Sequence, residues 1–511
     1  MEMSELQQIA QAIIQWGALL LAFVVGVGVL LVLAMYVVDK TQQTHTIRRN
    51  YPVVGRFRYL FEHLGEFFRQ YFFAMDREEL PFNRAERSWV YRAAKQVDTT
   101  VAFGSTRPLD HEGDVFFLNS AFPTLDEDAV DPKPVTIGAG SCEKPYTTSS
   151  LLNISGMSFG AISRPAVLAL STGAREAGIW MNTGEGGLSS YHLEGGADIV
   201  YQIGTAKYGV RDEHGHLSEE KLAAIAEHEQ VKMFEIKMSQ GAKPGKGGIL
   251  PGGKVTEEIS KIRGIPVGHD SISPNGHVDI RSVDDLLDMI ERVRSVTGKP
   301  TGFKMVVGQL DFFHNLFRTI HQRGRHSAPD FITVDSADGG TGAAPQALID
   351  YVGMPLQESL PLVVDLLHEY GLRERIKVIA SGKLINPGKV AWALSVGADF
   401  CTSARGFMFA LGCIQALQCN KNTCPTGIAT HNKELQRGLV PADKAKRVAA
   451  FARRVDLGVG IIAHSCGVAE PRGLQRHHMR VIEAGGASRG MSELHPVPAV
   501  RPEYDGEAAR G

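Results

Sequence analysis

Short β-rich runs alternate with helical stretches from residue 151 onward, and no other feature limits the fold of this chain as much. Candidate strands fall at 151–154, 179–182, 233–236, 271–272, 302–306, 331–334, 377–380 and 399–402. Helical patterns lie between them, at 165–177, 283–293, 346–370 and 387–396. Parallel strands need long crossovers, usually helices, so the alternation predicts a parallel sheet covered by helices. Eight strand-then-helix units over about 260 residues predict an α/β protein built on a (β/α)8 TIM barrel. A doubly wound open sheet is the alternative, but no Gly-x-Gly-x-x-Gly follows a first strand. After Thr426 the chain reads as helical to about Ala484, and 485–511 reads as a flexible tail.

The N-terminal end has a different character. Residues 16–38 form a run of 23 without a charged side chain, long enough to cross roughly 30 Å of hydrocarbon as a helix. Trp16 and Tyr36 sit near its ends, where amphipathic rings favour the interface. Glu2 and Glu5 precede it, and Lys40, Arg48, Arg49, Arg56 and Arg58 follow. That asymmetry predicts a single-pass protein of the cell membrane with its catalytic body in the cytoplasm. A cleaved signal peptide fits poorly, because there is no basic leader and no A-x-A site. Residues 67–73 read as an amphipathic helix that either lies on the membrane surface or packs on the main domain. The expected organisation is an anchor at 1–39, a juxtamembrane helical and loop extension at 40–134, a barrel at 135–484 and a tail at 485–511. The net charge of −2 supplies no global field for nucleic acid.

Three of the six cysteines, Cys413, Cys419 and Cys424, fall within twelve residues, and Pro425 follows the last. Thiolates that close suit a soft metal centre, and Cys-Pro often ends an iron–sulfur ligand run. Three ligands suit a three-iron cluster better than structural zinc, which takes four. The alternative is three buried or free thiols. In a barrel enzyme the site lies at the C-terminal ends of the strands, with phosphate commonly after strands seven and eight. Those positions hold Ser381 and Gly382, then Arg405 and Gly406, while Asp338, Gly340 and Thr341 follow strand six. Small residues expose backbone N–H groups there, which suits a flavin phosphate, although each stretch taken alone is also an ordinary tight turn. Lys304 stands inside an apolar strand, where an inward charge needs a partner such as the electron-rich edge of a flavin.

Five stretches, in order, carry a family resemblance. They are Ser155-Gly-Met-Ser-Phe-Gly-Ala-Ile-Ser163, Asn182-Thr-Gly-Glu-Gly-Gly187, Lys237-Met-Ser-Gln-Gly-Ala-Lys-Pro-Gly245, residues 338–343 and residues 413–430. Together they resemble the central FMN domain of glutamate synthase over roughly residues 135–470. The resemblance implies a barrel that binds FMN and a [3Fe–4S] cluster, with Cys413, Cys419 and Cys424 as ligands. It implies reduction of 2-iminoglutarate, formed from 2-oxoglutarate and ammonia, to L-glutamate. Met157 and Ser158 would approach the flavin. Glu185 would assist proton transfer where ammonia arrives. Lys243 and Arg263 would hold the oxo-acid carboxylates, with Gln240 on the same substrate side and Lys243 also serving catalysis.

The chain departs from the family pattern at Ile249, where a substrate-contacting Gln is usual, so a different oxo or amino acid is the alternative substrate. Residues 274–279 replace a Pro-Pro-Pro-His-His-Asp stretch. No glutaminase-like or NAD(P)H-binding module is legible in this sequence. The expectation is therefore free ammonia or another amine as nitrogen source and an external electron donor: a ferredoxin, a separate reductase subunit or a membrane quinone.

Overall fold

Eight parallel strands close into a barrel in the computed structural model, which describes residues 3–505. In barrel order they are β1 (Leu152–Ile154), β2 (Trp180–Asn182), β3 (Asp198–Ile203), β4 (Val231–Lys237), β5 (Thr301–Val306), β6 (Phe331–Asp335), β7 (Lys377–Ser381) and β8 (Phe400–Ser403). Nearly all their residues are buried, which is why they read as apolar runs rather than as alternation. The helices between them carry sound end signals. Ser163 caps Arg164–Ala177 by accepting from the Ala166 N–H, and Gly178 ends it in the left-handed region. Ser282 and Asp285 form a capping box for Val283–Thr297, and Asn386 caps Pro387–Val396.

The barrel interior is layered. Trp180, Val200, Met233, Phe331, Ile379 and Phe400 pack together as an apolar floor, with the Trp180 and Phe400 rings edge-to-face at 5.0 Å. The antiparallel hairpin of Val135–Ile137 and Tyr146–Thr148 adds Ile137 and Tyr146 to that floor. Gly302 of β5 has no room for a side chain, since a Cβ there would come within 2.2 Å of the Phe331 carbonyl oxygen. Side chains two apart on a strand point the same way, so the next layer holds Asn182, Gln202, Glu235 and Thr333. This layer is polar, and it carries the barrel from a sealed floor to a reactive mouth.

Three expectations need correction. Asp198–Ile203 supplies a barrel strand that the eight candidates missed. Only the six-residue helix Ser190–Gly195 separates it from β2, a far tighter unit than the others. Ser271–Ile272, counted among the eight, instead pairs antiparallel with Ile249–Leu250 in a hairpin outside the barrel. The helix expected over 346–370 is two, Gln346–Tyr351 and Leu356–Glu369, parted by Gly353 at φ 101° and by Pro355.

The C-terminal stretch also differs. The helix Pro441–Ser465 gives way to the strand Met479–Ile482, which pairs with Val115–Phe117 and Ser488–Gly490. The expected tail from Gly485 is therefore structured through Asp505, and the Tyr504 ring stacks on His321 at 4.3 Å and on Tyr370 at 4.8 Å. Residues 506–511 of that tail lie outside the described residues.

The chain divides into two units, Met1–Ala85 and Glu86–Gly511. The barrel unit thus takes in much of the 40–134 extension. The first unit consists of α1 (Met3–Thr41), α2 (Thr46–Asn50), α3 (Gly55–Phe68) and a single π-helical turn, Arg69–Phe73. Within α1, Gln7–Thr41 is long and apolar enough to cross a membrane, and its most apolar 18-residue window has mean hydropathy 3.0 with none of that window buried.

Candidate active site

Glu185 stands in the turn Gly184–Gly186 that follows β2, and its neighbours dictate its place. A Cβ added at Gly204 would come within 2.5 Å of its Cβ, so that neighbour must be glycine, and one at Gly248 would come within 2.1 Å of its Oε1 and displace the carboxylate. Lys237, at the end of β4, reaches its Oε2 at 3.0 Å. Burial opposes the charge on Glu185, but Lys237, Lys243 and Arg263 outweigh it and hold the carboxyl below its ordinary range. Burial, with the charge of Lys237 beside it, pushes Lys243 down to about 8. Three basic side chains therefore surround one carboxylate, although burial and the Lys304 charge lower Lys237 itself against the pull of Glu185.

The expected substrate side comes together around that pair. Gln240 accepts a hydrogen bond from Lys237 and donates through Nε2 to the Gly340 carbonyl at 3.4 Å. Arg263 ends the helix Glu257–Arg263 and is buried. It donates to the Phe159 carbonyl at 3.1 Å, the Ser271 hydroxyl at 3.3 Å and the Ser158 hydroxyl at 3.5 Å. Its guanidinium lies 5.2 Å over the Tyr208 ring, while its buried Nε has no partner. Met157 and Ser158 follow β1 and abut Gly184, where a Cβ would come within 2.6 Å of the Ser158 nitrogen.

The second expected group gathers after β6, β7 and β8. Arg405 donates to the Asp338 carbonyl at 2.7 Å and lies against Gly340, where a Cβ would sit 2.8 Å from its Nε. Ser381 donates to Asp335 at 3.1 Å, and Gly406 N–H reaches the Ser403 hydroxyl at 3.2 Å. Gly382 leaves no space, since its Cβ would meet the Ser336 hydroxyl at 2.1 Å. Thr341 turns back onto the Ala343 carbonyl at 3.2 Å. Burial lowers Arg405 to about 10 and also lowers Lys383, which the Arg405 charge depresses further. Two neighbouring half-buried cations, Arg405 and Lys383, suit an anionic cofactor group such as a phosphate.

Lys304 lies deeper, on β5, with its Nζ 4.0 Å from Glu235. Glu235 accepts from Gln202 at 2.6 Å, Thr333 at 2.6 Å and Asn182 at 2.8 Å. This network lines a narrow cavity above the floor. Lys237 and Glu235 were not among the expected site residues. Their signal was legible: both charges sit two apart in the apolar run of β4, and so point into the barrel.

The cysteine segment follows the helix Arg405–Leu411. Burial pushes the Cys413 thiol up to about 12, with the charges of Cys419 and Cys424 adding to it. Cys424 goes the other way. Burial raises it, but hydrogen bonds from the Thr426 side chain and the Ala429, Thr426 and Ile428 backbone bring its thiol below the ordinary value. Buried Lys254 donates to the Cys419 carbonyl at 3.3 Å and the Ala161 carbonyl at 2.8 Å. Among the described residues no three His, Cys, Asp or Glu side chains stand at metal-holding spacing. The donor type, the hydrogen-bonded Cys424 sulfur and the buried Lys254 beside Cys419 nevertheless suit an anionic sulfur-ligated centre.

Comparison with known proteins gives the family. Residues 112–469 match the conserved region in glutamate synthase. The glutamate synthase large subunit-like protein YerD of Bacillus subtilis (strain 168) is 40% identical over 501 residues, covering 90% of this chain and 95% of that protein. The archaeal glutamate synthase [NADPH] of Methanocaldococcus jannaschii is 39% identical over 298 residues, which is 58% of this chain and 55% of that protein, so the match spans about half the relative's length. Among solved structures, mandelate oxidase with benzoyl-formic acid aligns at TM-score 0.43 and 14% identity, over 77% of this chain and 98% of that one. With the family's conserved region matched along most of its length, on a closed parallel barrel whose reactive groups meet at the strand ends, the chain is an oxidoreductase belonging to the glutamate synthase family.

Proposed function

We propose that this barrel forms L-glutamate by reductive amination of 2-oxoglutarate, with FMN in its mouth, a [3Fe–4S] cluster on Cys413, Cys419 and Cys424, and α1 as a single membrane anchor. The observation that carries this reading is the gathering of three basic side chains, Lys237, Lys243 and Arg263, around the single carboxylate of Glu185. A dicarboxylate is the ligand that such a pocket neutralises. Asp338, Gly340, Thr341, Ser381, Gly382, Arg405 and Gly406 would hold the phosphate end of FMN, and Met157, Ser158 and Lys304 would face its ring. FMN held there would supply hydride chemistry for reduction of an imine, and a cluster on the three cysteines would supply electron transfer from an external donor.

The chain's own groups divide the remaining work. Lys243 and Arg263 bind the two carboxylates and orient the oxo carbon. Glu185, kept ionised by Lys237, steers ammonium and moves protons as amine replaces the oxo oxygen. Lys237 is itself positioned by Gln240 and by His277, whose Nε2 donates to the Lys237 carbonyl at 3.0 Å. Nitrogen would arrive as ammonia or an amine. A ferredoxin, a reductase subunit or a membrane quinone would supply the electrons.

A second reading rests on Ile249. This half-buried apolar residue lies next to Gly248, whose missing side chain makes room for the Glu185 carboxylate. Ile249 in place of a hydrogen-bonding Gln would favour an oxo acid less polar than 2-oxoglutarate, or oxidation of another oxo or amino acid toward a membrane carrier.

Binding as a function of pH tests the pocket. Lys243 has a depressed value of about 8, so its charge is present below that pH and lost as pH rises through it. Calorimetric affinity for 2-oxoglutarate should hold steady from pH 6.5 to 7.5. It should then weaken by about tenfold per unit above 8. Lys243→Arg should move that fall to higher pH. Affinity that stays flat to pH 9.5 would remove Lys243 from the carboxylate site.

A further inference from the structure

The Met1–Ala85 unit carries an aromatic stripe that the catalytic reading does not use. Phe57, Leu60, Phe61 and Phe68 recur at helical spacing along α3 and are all exposed. The π turn extends the stripe with Phe72 and Phe73, each 74% exposed. The rings stack along the surface, Phe57 on Phe61 at 6.4 Å and Phe68 on Phe72 at 5.5 Å. Leaving so many large apolar side chains in water is costly, and a contiguous patch of this kind marks a contact surface.

Two observations say what covers it. The first is position. Asp39, in the last turn of α1, is buried and holds the start of α3. Its carboxylate accepts from Arg56 Nε and Nη2, both at 2.8 Å, and from the Val53 N–H at 3.0 Å. The uncharged run of α1 ends at Val38, one residue earlier. The first turn of α3 is therefore pinned at the level where the apolar span stops. The second is charge. Residues 40–73 hold six Lys and Arg against two Glu. Arg58 and Arg69 are exposed, and Arg48 lies 4.7 Å over the half-buried Tyr59 ring, which ties α3 to α2. Aromatic rings beside basic side chains, at the end of an apolar span, match the interfacial layer of an anionic membrane.

We propose that α3 and the turn Arg69–Phe73 form an interfacial foot that lies in the headgroup layer of an anionic lipid bilayer, with the Phe61 face toward the acyl chains. The foot rests on the reading of α1 as a membrane span. It adds a second membrane attachment within the Met1–Ala85 unit.

Tryptophan quenching by brominated acyl chains tests this on the full-length holoprotein in nanodiscs of phosphatidylcholine and phosphatidylglycerol. Trp16, in α1, reports the span, and the emission lost in Trp16→Phe isolates its share. Phe61→Trp and Phe72→Trp each add a reporter on the foot, two variants being used in case one fails to fold. Phe122→Trp, at a residue 88% exposed in the barrel unit, adds a control. The expected result is that the added emission of both foot variants falls at least about twofold in brominated lipid, as the Trp16 share does, while the control is unchanged. Quenching of Trp16 with no quenching at the foot would overturn the proposal and leave the span intact, the stripe then being covered by protein. No quenching at Trp16 would remove the span and the foot together.

Discussion

Glu185→Gln should reduce glutamate formation by about 10²- to 10⁴-fold while leaving 2-oxoglutarate binding nearly unchanged. The amide has the volume of the carboxylate, so it fits the gap that Gly204 and Gly248 leave. It can accept from Lys237 at the same 3.0 Å position, but it cannot take up a proton. The variant therefore separates proton transfer from packing. A pH profile adds a second check. In the parent the carboxyl is held below its ordinary range by Lys237, Lys243 and Arg263. Activity that depends on its charge is present above that depressed value and is lost only as pH falls through it. Glu185→Gln should have no such acid limb. A loss of less than about tenfold at saturating ammonium would make Glu185 a structural partner of Lys237 and nothing more.

Cys424→Ser should remove the iron–sulfur centre. Cys424 is the thiol of the three that its surroundings favour as thiolate, through hydrogen bonds from residues 426, 428 and 429. A serine hydroxyl is not ionised near neutral pH and is a hard, poor ligand for iron. Anaerobically prepared protein should therefore lose nearly all its iron and acid-labile sulfide, while its flavin content stays at the parent level. Donor-driven turnover should fall by at least about a hundredfold, more than loss of a hydrogen bond around a ligand would cause. Cys466→Ser, at a buried cysteine far along the chain in the turn after Pro441–Ser465, is the matched control and should keep its iron. Full iron content in Cys424→Ser would mean that the three thiols do not hold a cluster.

The barrel was legible because its strands are buried on both faces and its helices begin at Ser163, Ser282 and Asn386, each a side chain that caps a helix end. Asp198–Ile203 escaped because its crossover is one short helix. Ser271–Ile272 was taken into the barrel because a two-residue apolar run carries no sign of whether its partner is parallel or antiparallel. Residues 488–505 are held by the pairing of Ser488–Gly490 with Met479–Ile482 and by Tyr504 meeting Tyr370 and His321, contacts no local pattern announces.

The site shows the same division. The glycine-rich turns and Glu185 were visible as motifs, since close approach of backbone requires glycine and reactive groups cluster at strand ends. Gln202 and Asn182 were not singled out as site residues, because each looks ordinary until the barrel closes and turns both toward Glu235. Lys254 and His431 illustrate the limit further. They donate to the carbonyls of Ala161 and Gly160, on the turn after β1, from positions about 90 and 270 residues later in the chain.

The most direct measurement is anaerobic turnover of the purified, cofactor-loaded chain. Reduced with dithionite through a viologen mediator and given 2-oxoglutarate and ammonium, it should form L-glutamate catalytically as the flavin reoxidises. Flavin that reduces fully but yields no glutamate, and reoxidises instead with a less polar oxo acid, would contradict the assignment of substrate and shift it to the reading that Ile249 supports.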